Sequence, residues 1–146
     1  MAETAEEPPL GGPFVQAAVF CEKVVEQADD NVTLVGVTDS ATAFESHGES
    51  GSQYHIDITA FLYLIAGEVA GKQVLILRPR TPSGASLTEA RLPVTFEAGA
   101  SGVQIQIQAE IPTDEEGTYW FDLFLGEKRL LTRLPLRVRA ARATDV

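Results

Sequence analysis

The side chains able to do chemistry are few in this chain, and nothing in their spacing orients them. His47 and His55 are the two histidines. A Ser–His–Asp set can be drawn from Ser46 or Ser52, His55 and Asp57. Such a set works only when the base is hydrogen-bonded to the nucleophile and an acid holds the base. The serines here fall in a Gly- and Ser-rich stretch over 45–53 that reads as a flexible loop. Cys21 is the single cysteine. It lies in an apolar run with Val15, Ala17 and Val19 on its face, the setting of a buried, inert thiol. One cysteine allows no internal disulfide and no thiolate zinc site, and no H-E-x-x-H spacing is present. Nor is there a Gly-rich phosphate loop or a G-x-S-x-G elbow. The expectation is a protein that is not an enzyme, with no catalytic residues and no cofactor.

Oxygen ligands are the remaining chemistry. Asp29-Asp30-Asn31 and Asp114-Glu115-Glu116 are two acidic turns. Calcium takes about six to eight oxygens, so neither triplet suffices alone. A joint site using Asp29, Asp30, Asp114 and Glu116 requires both turns at one end of the fold. The alternative is ordinary turn chemistry, which Asp and Asn favour.

The elements that must position these residues read as strands. Candidate strands cover 14–24, 32–39, 54–66, 72–78, 89–97, 102–111, 118–125 and 129–139, with turn residues between them and no 3.6-residue period. Residues 22–28 have a helical turn as their alternative. Val103-Gln-Ile-Gln-Ile-Gln-Ala-Glu-Ile111 alternates cleanly, which puts Val103, Ile105, Ile107, Ala109 and Ile111 in the core. Asp114-Glu-Glu-Gly-Thr-Tyr119 has the pattern of a tyrosine corner, the sequence mark of an immunoglobulin-like sandwich. The corner turns Tyr119, Phe121, Leu123 and Leu125 inward and Trp120, Asp122 and Phe124 outward. A two-residue Gly126-Glu127 loop would then set Trp120 opposite Arg133 and Phe124 opposite Arg129. In the strand over 54–66, Phe61 and Tyr63 also fall on the outward face. Pairing of that strand with the Tyr119 strand would unite Phe61, Tyr63, Trp120 and Phe124 with Arg129, Arg133 and Arg137. Aromatics among arginines compose the centres of interfaces. The competing reading is that loops or the N-terminal segment cover this face.

Charge narrows the partners. Residues 1–57 carry 11 acids and one base, while residues 58–146 carry 10 of each. Within residues 128–142 six bases and no acid occur. They either offset the acidic half or form a docking strip for an acidic partner. The net charge of -10 disfavours nucleic acid. No apolar run reaches the roughly 18 residues that span a bilayer. An acidic N-terminus and a lone cysteine fit a cytoplasmic protein.

Phe20-Cys-Glu-Lys-Val24, Asp30-Asn-Val-Thr-Leu-Val-Gly-Val-Thr-Asp39, Gly117-Thr-Tyr-Trp-Phe-Asp122 and Leu131-Thr-Arg-Leu-Pro-Leu-Arg-Val138 together resemble a family of small bacterial single-domain β-sandwich proteins of unknown function. The resemblance covers residues 14–139 and implies a fold without catalytic residues. The Ala-, Arg- and Gly-rich composition suits a high-GC bacterium. The whole reading is an all-β, immunoglobulin-like antiparallel Greek-key sandwich of about 7–9 strands. It occupies residues 14–140, after an acidic Pro/Gly leader over 1–13 and before a flexible tail over 141–146. The expected function is a protein–protein interaction or assembly module. Its partner would be another protein or a second copy, and neither nucleic acid nor membrane.

Overall fold

The structure, a computed structural model, describes residues 11–48, 51–97 and 99–140, and only the backbone at 46–48, 51–52 and 99–101. Most of the expected leader and all of the expected tail lie outside the described residues. Ten strands follow in order: β1 (Phe14–Cys21), β2 (Lys23–Glu26), β3 (Val32–Val35), β4 (Ser40–Gly48), β5 (Gly51–Gly67), β6 (Gly71–Arg80), β7 (Ala90–Phe96), β8 (Gly99–Pro112), β9 (Gly117–Leu125) and β10 (Arg129–Ala140). The protein is an all-β sandwich whose two layers are made of one curled sheet.

One layer is β1, β5 and β8, with β5 in the middle. The other runs β10, β9, β6, β7, all antiparallel. β4 belongs to both layers: its first residues pair parallel with β10, and its later ones pair antiparallel with β5. It thereby closes one side of the sandwich. Inward residues of both layers form the core, among them Phe20, Leu62, Leu75, Tyr119, Phe121 and Leu136. Phe20 and Phe121 meet edge to face across the layers, with ring centroids 5.0 Å apart. Such a pair adds about 1 kcal/mol beyond the area it buries.

The tyrosine corner is present. The Tyr119 hydroxyl donates to the Glu115 carbonyl at 2.7 Å, and the ring is fully buried. Burial pushes the hydroxyl's pKa up, against the lowering effect of its bond to Glu115.

Several expectations are corrected. The run over 14–24 is two strands, because the chain turns at Glu22 and sends β2 and β3 out as a hairpin of their own. The stretch expected to loop over 45–53 is strand on both sides of residues 49 and 50, which lie outside the described residues. The final hairpin turns over three residues, 126–128, with Gly126 at φ 67, and carries a bulge between Leu130 and Thr132. The register therefore slips by two: Tyr119 faces Leu136 rather than Leu134, and Trp120 faces Pro135 rather than Arg133. From Thr132 onward a slip of two leaves each side chain on its expected face. Before the bulge the slip is one, so Leu130 lies opposite the outward Phe124 and is exposed, and Leu131 packs against the core instead.

Candidate functional site

The expected aromatic face is split between the layers. β5 pairs with β1, β4 and β8, and β9 pairs with β10 and β6. Phe61 and Tyr63 are thus on one sheet, and Trp120 and Phe124 on the other. Leu62 and Leu64 of β5 and Phe121 and Leu123 of β9 share the core between the layers, so the outward sides of the two strands point in opposite directions.

On the first sheet the outward face is covered. Phe61 is 2% exposed although it is outside the inter-sheet core. The β2–β3 hairpin lies against this side: Gln104 Nε2 donates to the Asp30 carbonyl at 3.1 Å. Glu26, Asp30 and Val32 of the hairpin region line one cavity with Tyr63 and Gln104. The Tyr63 ring passes over Gly102 so closely that a Cβ there would stand 2.6 Å from it, which is why glycine occupies that position. Cys21, on the same side, is 1% exposed, and burial pushes its thiol pKa up. Its burial matches the buried thiol expected from the sequence.

On the second sheet, among the described residues, the outward aromatics are bordered by charged side chains and by the loop over 81–84. Asp122 is 6% exposed. Its Oδ2 lies 3.1 Å from Arg80, and its Oδ1 3.2 Å from Arg133 Nε. Arg80 Nε is buried without a hydrogen-bond partner among the described residues. Trp120, beside them, is 41% exposed. A cavity of about 350 Å³ is lined by Arg80, Thr81, Pro82, Gly84, Trp120 and Arg133. One strand-length along, Arg78 lies over the Phe124 ring at 4.4 Å, a contact worth about 0.5–1 kcal/mol when exposed. The expected arginine stacks, Arg133 on Trp120 and Arg129 on Phe124, are replaced by this one. Arg78 and Arg91 each bind both Glu89 and Glu127, at 2.8–2.9 Å. Hydrogen bonds from Arg78 and then Arg91 hold the Glu89 carboxyl below its ordinary pKa.

Arg137 pairs with Asp39 at 3.3 Å, one place where the basic tail offsets the acidic half. Arg129 faces Leu125 and is exposed. Arg78, Arg80 and Arg91 were not foreseen as site residues. Val74-Leu-Ile-Leu77 is unbroken and apolar, which hides the alternation that puts Ile76, Arg78 and Arg80 on one face.

The acidic turns do not form a joint calcium site. Asp30 is beside Gln104 near the start of β8, and Asp114 follows its end. Ten residues of strand separate them by about 33 Å. Asp29 and Asp30 adopt φ 66 and φ 61 in the hairpin turn, a conformation that short polar side chains tolerate. Glu116 Oε1 accepts the Ala140 N–H at 2.8 Å. Among the described residues one group brings three metal-ligating side chains within 4.8 Å of one another: His55, Asp57 and Glu110. His55 and Asp57 alternate on β5, and Glu110 is directly opposite Asp57 on β8. Nε2 of His55 is 3.9 Å from Glu110. Asp57 and Glu110 are exposed, and such groups are common without an ion. The side chains of Ser46, Ser52 and His47 lie outside the described residues.

Among the described residues no helix is long and apolar enough to cross a membrane. No family model matches the sequence, and no curated protein matches it. Among solved structures, the chain is similar to an immunoglobulin-like protein from Pseudomonas aeruginosa, with a TM-score of 0.45 and 16% identity. The likeness covers 90% of this chain and 100% of that one.

Proposed function

We propose that the domain is a non-enzymatic interaction module that takes an acidic protein segment on the outward face of the β10-β9-β6-β7 sheet. The observation behind this reading is Trp120, 41% exposed in one cavity with two guanidinium groups that share a single carboxylate. Two arginines against one aspartate leave one positive charge uncompensated. Their remaining N–H donors match a carboxylate in geometry. An indole alongside supplies contact area at low entropy cost, as interface anchors do. The buried, unpaired Cys21 supports a reducing, cytoplasmic setting.

Trp120 is the only tryptophan, so its emission reports on this cavity directly. Titration with a Glu-rich peptide that carries one aromatic residue should shift that emission, and added salt should reverse the shift. Arg133→Ala should weaken binding by about tenfold, the loss of one charge-assisted hydrogen bond. Unchanged emission up to millimolar peptide overturns the reading.

A further inference from the structure

Among the described residues nothing pairs the outer edge of β8. It is a 14-residue strand bonded to β5, and among the described residues no strand lies on its other side. A row of free N–H and C=O groups is a template for another strand, and proteins usually blunt it. The edge strand of the other layer, β7, is blunted: it has 7 residues, with Pro93 lacking an N–H and Arg91 two positions before it. β8 has neither device. Its one charged residue is Glu110, and its one proline, Pro112, is its last residue. The core is also open along this side. Val103, Ile105 and Ala109 point into the sandwich yet are only half-buried, while Ile107 and Ile111 are buried.

We infer that this edge pairs with the β8 strand of a second copy, antiparallel about a two-fold axis, joining two sheets into one. The alternation makes the strand self-complementary. Directly opposed residues of an antiparallel pair point to the same face. An axis through Ile107 sets Ile105 opposite Ala109, Val103 opposite Ile111 and Gln106 opposite Gln108. An axis through Gln106 sets Ile105 opposite Ile107 and Gln104 opposite Gln108. In both, apolar meets apolar and glutamine meets glutamine. Glu110 meets Gln104 or Gly102, so no like charges oppose. The contact uses one surface on both copies and therefore stops at a dimer. It also covers the half-buried Val103 and Ile105, which a lone chain leaves wet. This edge is separate from the Trp120 cavity, and the inference stands independently of the reading given to that cavity.

Sedimentation equilibrium on the full chain, from micromolar to sub-millimolar concentration, should show a monomer–dimer equilibrium. Gln106 and Gln108 are exposed, so Gln106→Lys with Gln108→Lys leaves the monomer's fold and melting temperature unchanged. It opposes like charges across the axis and should weaken the dimer at least tenfold. Gln106→Glu with Gln108→Glu should do the same alone, and an equimolar mixture of the two variants should dimerise again. Trp120 emission should not change on dimerisation, which separates this result from peptide binding. A monomer at every concentration overturns the inference. So does a dimer that the lysine pair leaves intact, a mixture that fails to re-form, or open-ended polymers.

Discussion

Phe61 and Trp120 each sit on the outward side of a central strand, one in each sheet, yet Phe61 is 2% exposed and Trp120 41%. The difference is what the chain lays over them. The β2–β3 hairpin, inserted between β1 and β4, reaches back to the first sheet, where Asp30 accepts from Gln104 and the hairpin turn lines a cavity with Tyr63. Among the described residues the second sheet has no such hairpin over it. Its outward aromatics are bordered by Arg78, Arg80, Arg91 and Arg133 with Asp122, Glu89 and Glu127. Outward position in a strand thus carries two meanings in one protein. On one side it is a structural layer, and on the other a solvated surface held in place by ion pairs.

The largest test of the contrast is truncation at both aromatics. Phe61→Ala should cost about 3 kcal/mol of unfolding free energy, the usual scale for emptying a buried aromatic site. Trp120→Ala should cost under about 1 kcal/mol, since a half-exposed side chain leaves no closed cavity. Denaturant unfolding of both variants measures the difference, and equal losses would mean that the two faces are alike. Next comes Asp122→Ala. Removing the carboxylate leaves Arg80 and Arg133 facing each other without a counter-charge. A fully buried pair would lose about 3–5 kcal/mol on such a change. These arginine side chains are 39% and 55% exposed, so the expected loss is nearer about 2 kcal/mol. A loss below about 0.5 kcal/mol would show that Asp122 does not organise this face.

The smallest effect belongs to Glu89. Arg78 and Arg91 hold its folded-state pKa below the ordinary carboxylate value. A lowered pKa means that the folded state favours the charged form. The stabilisation is complete above the unfolded carboxylate pKa and is lost as pH falls through the lowered folded value. Melting temperatures of the native chain and Glu89→Gln should therefore differ at neutral pH and converge in acid. A difference that persists unchanged in acid would mean that the ion pairs do not contribute.

Much of the fold was legible in the chain because its signals are local. The period of two over Val103–Ile111 and Tyr119–Leu125 identified the inward residues of β8 and β9, all of which pack in or against the core. The Asp114-to-Tyr119 turn announced the hydrogen bond from Tyr119 to Glu115. The misreadings share a cause. The pairing of β5 with β9, the length of the last turn and the strand character of β4 depend on residues far apart in sequence, or on a bulge with no composition of its own.

The sequence by itself determined which side of β8 and of β9 is apolar, because alternation is a property of neighbouring residues. Only the tertiary structure decided which strands share a sheet and which outward face receives the hairpin. It also decided that the edge of β8 is left without a partner among the described residues. Those outcomes follow from where a distant segment comes to rest, and no local pattern records that.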